Sequence, residues 1–426
     1  MQSLIRPILA AAILTTLPVA PVLAQTAQTA PVRIDKARID KALAEMVSGG
    51  RAVGVEAVVW QAGRERYFGQ AGFADREAKR PMNRDTLVQV FSMTKPVTGV
   101  ALMQLWEQGK FGLDDPVSRY IPEFANERFY AGKDAAGVPM YKPVTRPVLI
   151  RDLMRHTAGL SYGWPTGDPV DALFVAADPL GLDNDLAEMA HRNGQLPLVF
   201  DPGTQWRYST GVDVQARLVE IFSGQKFTDY VQQHIFDPLG MKGSGWAPSR
   251  DVLPRFAASY EKGADGKLAR VEDKRWLAMN FAGHRMTMGG AGIVAPIDDY
   301  LRFARMLLGK GTLDGVRVLR PSTVRLMSTD QLDPRATERQ FLPGKGNVGF
   351  GLDFAVRVGQ PKDAAENRGA VGEFFWDGAE TTLFWVDPAN DLVAVFFVQT
   401  LPFDGTLHHD IRQAVYGADY LGPAGD

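Results

Sequence analysis

Residues 91–96, Phe91-Ser92-Met93-Thr94-Lys95-Pro96, connect a short β-like run to a strongly apolar helical pattern that ends at Gly109. A serine in the first turn of a helix lies beside backbone N–H groups that have no partner within the helix and that favour developing negative charge. Lys95 follows Ser92 by three residues and therefore lies on the same helical face. Apolar neighbours lower the pKa of a lysine by desolvation, so a neutral or proton-sharing amine would help to activate the serine. A capping serine followed by a lysine that reaches solvent fits the same local pattern equally well.

The bare pattern Ser-x-x-Lys is weak evidence, because it occurs at Ser92–Lys95, Ser223–Lys226 and Ser259–Lys262. Ser223 ends a helical pattern in a turn, and Ser259 lies in a polar stretch that contains glycine. We expect both of these serines to be exposed. Only Ser92 stands between a buried-looking strand and an apolar helix, which favours it as a nucleophile.

Two other sequence motifs match known functional patterns but lack the secondary structure that those patterns require. Residues 159–163 match GxSxG around Ser161, but the preceding segment is helical in pattern and Pro165 prevents a long helix from following at once. A loop after a helix, with Gly159 as its cap, is the favoured interpretation.

Residues 344–349 match GxGxxG, but Pro343 precedes them and a strand-like run follows, whereas a dinucleotide loop needs a strand before and a helix after. This segment is interpreted as a flexible loop.

Strand patterns occur at both ends of the chain and helical patterns fill its middle. Predicted strands cover residues 53–60, 65–70, 86–91, 348–358, 370–376, 381–386 and 391–400, and predicted helices cover residues 33–48, 149–156, 211–223, 227–236, 298–308 and 406–418. The fold class is therefore α+β, with one antiparallel sheet assembled from both ends. The expected organisation is a discontinuous sheet domain, residues 25–115 and 285–426, with an inserted, mostly helical domain, residues 116–284.

Composition excludes several classes of protein. The 426 residues carry 47 Lys and Arg against 49 Asp and Glu, so bulk electrostatic capture of nucleic acid is not expected. The absence of cysteine removes disulfides, thiolate metal sites and a cysteine nucleophile, and the six histidines lack HExxH spacing. No metal or organic cofactor is implied.

Residues 1–24 have the pattern of a cleaved export signal. Arg6 precedes an almost uncharged apolar stretch, and Val22-Leu23-Ala24 is a small-x-small cleavage pattern. The prolines in this stretch and its short apolar core disfavour a membrane anchor, so no stable membrane span is expected after cleavage. The predicted location is the periplasm or the medium.

Several segments together resemble the serine β-lactamase and penicillin-binding-protein superfamily. Residues 91–96 resemble its Ser-x-x-Lys motif. Residues 151–160 (RDLMRHTAGL), 236–241 (FDPLGM) and 289–293 (GGAGI) are similar to landmarks of the class C β-lactamase-like branch, which includes the bacterial family VIII carboxylesterases. The resemblance covers most of the chain after residue 24. It implies a β-lactamase/transpeptidase-like fold in which helices flank the sheet.

The second motif of this branch corresponds to residues 201–210 (DPGTQWRYST). By resemblance, Tyr208 is the proton carrier that works with Ser92 and Lys95. A tyrosine with an ordinary pKa near 10 needs about 4 kcal/mol of differential stabilisation to titrate near 7, and a neighbouring lysine ammonium is the expected source. Lys95 and Tyr208 would then titrate as a pair.

The third motif corresponds to residues 375–379 (FWDGA). The resemblance implies that the backbone N–H groups of Ser92 and Ala379 form an oxyanion hole. Asp377 replaces a usual glycine, and Glu380 stands near it, so two carboxylates would weaken catalysis if their side chains pointed inward. Strand alternation alone does not decide their direction.

The substrate hypothesis follows from two positions at which this sequence lacks the polar residue that is usual in the family. Trp376 takes the place of a lysine that holds the carboxylate of β-lactams, and Thr210 takes the place of an asparagine. Both changes favour neutral, apolar ester groups. The expected substrate-binding residues are Trp376, Asp377, Gly378, Thr210, Tyr162 and Trp164, with Phe384 as a further aromatic candidate.

The resulting hypothesis is an exported serine carboxylesterase that acts on a small-molecule ester through a Ser92 acyl-enzyme, with weak activity on β-lactams. One alternative is a β-lactamase or D-alanyl-D-alanine peptidase. Another is an amide hydrolase or acyltransferase of the same fold. A third is a non-catalytic relative that binds peptidoglycan or another ligand, with a site damaged by Asp377 and Glu380.

Overall fold

The computed structural model describes residues 32–272 and 283–420. A single antiparallel sheet of eight strands forms its centre, in the order β12-β13-β14-β15-β16-β1-β2-β3. Its strands are β1 (Gly54–Gln61), β2 (Arg64–Asp75), β3 (Arg80–Pro81), β12 (Val348–Phe350), β13 (Ala355–Arg357), β14 (Phe374–Asp377), β15 (Leu383–Asp387) and β16 (Leu392–Val398). The predicted α+β class and the assembly of one sheet from both ends of the chain are confirmed.

The pairing of β1 with β16 joins the two ends of the chain. Its antiparallel register runs from Val55 opposite Val398 to Gln61 opposite Leu392. Every residue of β16 is buried, so its continuous apolar run reflects a strand that is covered on both faces. Strands from the two ends of the chain are therefore neighbours in the middle of one sheet and share its core.

Helices cover the sheet and fill the middle of the chain. In the described residues they are α1 (Lys36–Ser48), α2 (Thr94–Glu107), α3 (Ile150–Met154), α4 (Pro169–Ala177), α5 (Leu186–Gln195), α6 (Gly211–Ser223), α7 (Phe227–Val231), α8 (Asp237–Leu239), α9 (Ile297–Leu308), α10 (Pro321–Met327) and α11 (Gly405–Tyr416). Helix α9 packs against β1, β15 and β16, whereas α1 packs against α11 and β2. Helix α2 packs against α6, which brings the segments around Ser92 and Tyr208 together.

The remaining strands form small sheets outside the central one. They are β4 (Val88–Gln89), β5 (Arg128–Lys133), β6 (Pro139–Pro143), β7 (Tyr260–Lys262), β8 (Leu268–Arg270), β9 (Val294–Ala295), β10 (Thr312–Leu313), β11 (Val316–Arg317) and β17 (Thr400–Leu401). Residues 116–284 thus contain strand pairs as well as helices, and the division into two discontinuous domains stays a prediction.

Predicted elements differ from the structure mainly where the chain turns. The strand predicted for residues 86–91 is only the two-residue β4, which pairs with β9 outside the central sheet. The strand predicted for residues 348–358 is two strands, β12 and β13, because the Gly351 N–H donates to the Phe354 carbonyl and closes a turn between them. The helix predicted for residues 227–236 becomes a π-helix at Gln232–Phe236.

The predicted export signal at residues 1–24 lies outside the described residues. Within residues 32–272 and 283–420, no helix combines the length and apolar character required to cross a bilayer.

Candidate active site

Ser92 lies on a tight turn between β4 and α2. It is the middle residue of a 3₁₀ turn, Phe91–Met93, that leads directly into the helix. Phe91 has a φ of 45°, a conformation in the left-handed region that is rare for a bulky residue. Such local strain persists only where the surroundings enforce it, and it is concentrated at functional sites. The turn places the Ser92 side chain at the wall of a pocket.

Lys95 is buried directly behind Ser92. Its Nζ lies 3.2 Å from Ser92 Oγ and donates a hydrogen bond of 2.8 Å to the Gly290 carbonyl. Only 1% of the residue is exposed, and burial lowers the pKa of Lys95 to about 8, partly opposed by the charge of Asp213. The desolvation predicted from its apolar neighbours is therefore confirmed, and an appreciable fraction of the amine is neutral near pH 7.

Tyr208 contacts Ser92 from another side. Its hydroxyl is hydrogen-bonded with Ser92 and accepts a hydrogen bond of 3.1 Å from Trp376 Nε1. Lys95 Nζ lies 4.5 Å from the centre of the Tyr208 ring. These contacts bring the three predicted catalytic residues into one cluster.

The pKa of Tyr208 is shifted in the direction opposite to our expectation. Burial raises it well above its ordinary value, although the hydrogen bonds from Ser92 and Trp376 oppose this effect. Desolvation dominates because the phenol is enclosed, and the nearby charges of Asp377 and Asp213 add to it. The expected titration of Tyr208 near 7 is wrong: in the resting protein Tyr208 is a neutral phenol.

One cavity of about 470 Å³ connects most of the predicted site residues. Its lining residues are Ser92, Trp164, Tyr208, Phe341, Gly344, Lys345, Trp376, Asp377, Gly378, Ala379 and Phe403. Aromatic side chains dominate this wall, which suits an apolar substrate group. We refer to this cavity as the serine pocket.

The third motif passes close to the nucleophile turn. Gly378 follows β14 directly, and a Cβ atom at this position would lie only 2.6 Å from the Val90 carbonyl oxygen. A glycine is therefore required for the approach of the two segments. As a result Ser92 and Ala379 border the same pocket, where their backbone N–H groups are the candidate oxyanion hole.

The two unusual carboxylates have different surroundings. Asp377 lines the serine pocket and is ion-paired with Lys345. Glu380 is not among the pocket-lining residues; it is buried and accepts a hydrogen bond of 2.8 Å from Ser259 Oγ. Of the two carboxylates that we expected to disturb the site, Asp377 is neutralised by Lys345. Glu380 bonds to Ser259 and does not line the pocket.

Lys345, which lies in the GxGxxG segment, is a pocket residue that was not predicted from the sequence. The segment begins within a 3₁₀ turn, Leu342–Lys345, and ends within strand β12. A dinucleotide loop needs a strand before it and a helix after it, so this segment does not have the required setting. Lys345 Nζ lies 5.0 Å from the centres of the Trp376 and Phe403 rings. The pocket therefore contains a cation, Lys345, although Trp376 takes the place of the family lysine.

Three residues predicted to contact substrate are not among those lining the serine pocket. Thr210 is buried and donates a hydrogen bond of 2.6 Å to Asn193 Oδ1. Tyr162 lies behind the pocket, with its ring centre 5.4 Å from Lys95 Nζ. Phe384 is a core residue that packs against Tyr300. Trp164 does line the pocket, and its Nε1 donates 2.9 Å to the Tyr208 carbonyl.

The other candidate serines lie away from the serine pocket. Ser161 is fully buried and its hydroxyl donates to Asp171, which supports a structural role in the loop. Ser223 donates to the Val219 carbonyl at the end of α6 and is partly exposed. Ser259 is 6% exposed, so the expectation of an exposed serine is wrong there. Its hydroxyl donates to the buried Glu380, which satisfies the polar group in the interior.

A serine that contacts both a buried lysine and a tyrosine, at the start of a helix beside an antiparallel sheet, defines a β-lactamase/transpeptidase-like serine hydrolase architecture. The sequence matches the Beta-lactamase family over residues 39–418, and the chain belongs to that family.

Relatives and solved structures share this architecture. Protein Rv1367c of Mycobacterium tuberculosis is 35% identical over 88% of this chain and 91% of its own length. Esterase EstB of Burkholderia gladioli is 32% identical over 89% of this chain and 95% of its own length. The structure of EstCE1, described as a hydrolase with promiscuous acyltransferase activity, superposes with a TM-score of 0.73 at 27% identity, covering 89% of this chain and 98% of EstCE1.

Proposed function

We propose that this protein is a serine carboxylesterase that forms an acyl-enzyme on Ser92. The observation that carries this proposal is the position of the Ser92 hydroxyl, which contacts both the Lys95 amine and the Tyr208 hydroxyl at the wall of an aromatic pocket. The names of EstB and EstCE1 as esterase and hydrolase support the same reaction class.

Lys95 is the base in the first step of this mechanism. With a pKa of about 8, about one lysine in ten is neutral at pH 7 and able to accept the Ser92 proton as the oxygen attacks the ester carbonyl. The negative charge on the carbonyl oxygen is then held by the backbone N–H groups of Ser92 and Ala379.

Tyr208 is the general acid in the next step, in which the alcohol leaves. Trp376 donates to its oxygen, so the phenolic proton remains available to the departing alcohol. The ammonium now present on Lys95 favours the resulting phenolate, because opposite charge stabilises the ionised form. Water then attacks the acyl-enzyme, Tyr208 recovers a proton from it, and Lys95 returns its proton to Ser92. Each proton is restored at the end of the cycle.

The serine pocket favours a small, apolar group next to the scissile bond. Trp164, Trp376 and Phe341 enclose it, and the charge of Lys345, which also lines it, is compensated by Asp377. We therefore propose short-chain carboxylic esters as substrates and only slow turnover of β-lactams. The proposed mechanism uses only side-chain and backbone groups of the protein.

Hydrolysis of p-nitrophenyl acetate and butyrate tests the proposal. We expect Ser92→Ala to lose activity by at least about 1,000-fold, because the nucleophile is removed. Ser223→Ala is the matched control, since it removes the serine of another Ser-x-x-Lys motif away from the pocket, and Ser161→Ala tests the GxSxG alternative. Both are expected to remain active. A mass increase on Ser92 with a fluorophosphonate probe would identify the acylated residue.

Three results would contradict the proposal. Full activity in Ser92→Ala would exclude this nucleophile, and faster turnover of nitrocefin than of esters would favour a β-lactamase. An alcohol acceptor that competes efficiently with water would instead indicate an acyltransferase.

We also propose that the protein is exported after removal of residues 1–24. The apolar stretch after Arg6 and the Val22-Leu23-Ala24 pattern support this. Expression of the full chain in a bacterial host, followed by fractionation and N-terminal sequencing, tests it. A mature protein that begins at Gln25 outside the cytoplasm is the expected result, whereas an intact N-terminus in the cytoplasm would contradict it.

A further inference from the structure

A second, larger cavity of about 830 Å³ adjoins the serine pocket. Both cavities are lined by Gly344, Lys345, Asp377 and Phe403. The ion pair between Lys345 and Asp377 therefore stands where the two cavities meet. A substrate held at Ser92 that extends past this ion pair enters the second cavity.

The walls of the two cavities differ in charge. Around the second cavity, the cationic lining residues Arg339, Lys345, Lys362 and Arg412 outnumber the carboxylates of Glu366 and Asp377. The serine pocket, in contrast, is mainly aromatic. The pair of cavities thus offers an apolar environment beside the nucleophile and a cationic one beyond it.

Arg412 provides a specific reason to expect an anion in this cavity. The residue is 1% exposed, and its Nη1 donates 2.7 Å to Glu373 and 3.0 Å to the Arg368 carbonyl. Glu373 is shared with Arg357, whose Nε lies 3.6 Å away. Within the described residues, Arg412 Nη2 is buried without a hydrogen-bond partner. An unpartnered guanidinium donor at a cavity wall is costly, and a carboxylate ligand would satisfy it.

The start of α11 adds to the same wall. Gly405 and Thr406, in the first turn of this twelve-residue helix, line the cavity. The N-terminal end of a helix carries partial positive charge and favours anions. Asp404 already caps this end, because its Oδ1 accepts a hydrogen bond of 2.9 Å from the Thr406 N–H, so the cationic side chains rather than the helix end carry the case for an anion.

We infer that the second cavity is a subsite for a carboxylate at the far end of the ester substrate. The substrate class is an ester with an apolar group at the scissile bond and an acidic group several atoms beyond it. This inference rests on the proposed esterase function. It also identifies Arg339 and Lys362 as specificity-determining residues.

Two pairs of esters test the inference, because the carboxylate is placed on either side of the scissile bond. The first pair is mono-4-nitrophenyl suberate and its methyl ester, and the second is 4-butyryloxybenzoate and its methyl ester. The variant Arg339→Gln/Lys362→Gln removes two charges from the cavity. The control Arg335→Gln/Lys267→Gln removes two charges from exposed positions that do not line it.

We expect the wild-type protein to prefer the acid over the methyl ester, by kcat/KM, in one of the two pairs. This preference should fall by about tenfold in the cavity variant and stay unchanged in the control, while turnover of the methyl esters stays within about twofold. The inference is overturned if neither acid is preferred, if the preference survives in the cavity variant, or if the control loses it equally.

Failure of the proposed function gives a different result, in which none of the four esters is hydrolysed. Calorimetric titration of Ser92→Ala with each acid and each methyl ester then decides the inference by itself. Tighter binding of an acid, lost on the additional Arg339→Gln/Lys362→Gln change, would support a carboxylate subsite, and equal binding of acid and methyl ester would exclude it.

Discussion

Lys95 and Asp213 are connected through a single residue, Gly290. The Gly290 N–H donates 2.9 Å to Asp213 Oδ1, and its carbonyl accepts 2.8 Å from Lys95 Nζ. Asp213 therefore fixes the residue that orients the amine, and its negative charge also raises the pKa that burial lowers. Its place in the structure is that of a positioning residue for Lys95.

Replacement of Asp213 by Asn should shift the pH dependence of hydrolysis to lower pH. The neutral form of Lys95 is the active one, so kcat/KM should rise with pH through an inflection near 8 in the wild-type protein. Loss of the Asp213 charge lowers the pKa of Lys95 further, and we expect the inflection to fall by about one pH unit. The measurement is kcat/KM for p-nitrophenyl butyrate between pH 5 and about 10.

Asp314→Asn is the control for this prediction, because Asp314 is 55% exposed and pairs with Arg302 on the surface. Its inflection should equal that of the wild-type protein. An unchanged or higher inflection in Asp213→Asn would show that Asp213 carries no effective charge toward Lys95.

Tyr208→Phe should lower kcat strongly while leaving the fold intact. The phenylalanine keeps the ring packing but removes the hydroxyl that contacts Ser92 and accepts from Trp376. We expect kcat for a p-nitrophenyl ester to fall by about 100- to 10,000-fold, the usual contribution of a general acid or base. The effect should be larger for ethyl butyrate, because a poor leaving group depends more on protonation. Equal effects on both esters would contradict a role for Tyr208 in protonating the alcohol.

The ion pair between Lys345 and Asp377 predicts non-additive effects on stability. Asp377→Asn leaves the Lys345 ammonium among aromatic rings without its counter-charge, and Lys345→Met leaves a carboxylate that is 8% exposed. Each single variant should lower the free energy of unfolding by about 1–3 kcal/mol, because removal of one partner leaves a poorly solvated charge. The double variant Lys345→Met/Asp377→Asn should regain at least half of the loss. Urea unfolding of the four proteins measures this, and strictly additive losses would contradict the coupling.

Ser92 and Lys95 were predicted from local pattern, whereas Tyr208 and Ala379 were predicted from the resemblance to a known family. Ser92 and Lys95 share one helical turn, and the aromatic and apolar runs of β14 to β16 identify strands without knowledge of their partners. The pairing of side chains from distant segments was not predicted. Lys345 and Asp377 are 32 positions apart, and Asp213 and Gly290 are 77 apart.

Burial accounts for the remaining differences. Ser259 meets Glu380, 121 positions away, and this pairing is invisible in the polar sequence around Ser259. The pKa of Tyr208 was misjudged for a related reason. The expectation considered the charge of Lys95 but not the desolvation of the phenol by residues from other segments.

Glu127 provides a test of buried charge away from the active site. Only 7% of the residue is exposed, its Oε2 accepts 3.3 Å from the Val148 N–H, and its Oε1 has no hydrogen-bond partner in the described residues. Burial raises the pKa of Glu127 to about 8, so the folded protein holds this proton at neutral pH. An unfolded glutamate, with a pKa of about 4.3, has released it.

Unfolding therefore releases a proton between these two pKa values, and the contribution of Glu127 to stability falls as pH rises from about 4.3 to about 8. Glu127→Gln keeps the shape of the protonated side chain but cannot ionise. We expect the variant to match the wild-type protein near pH 4 and to exceed its free energy of unfolding by about 2–4 kcal/mol near pH 8. Urea unfolding at both pH values measures this difference. Glu188→Gln, which changes an exposed residue paired with Arg192, should show less than about 0.5 kcal/mol at either pH. If Glu127→Gln gains no stability near pH 8, ionisation of Glu127 costs the folded protein little free energy. That result would contradict the raised pKa expected from its burial.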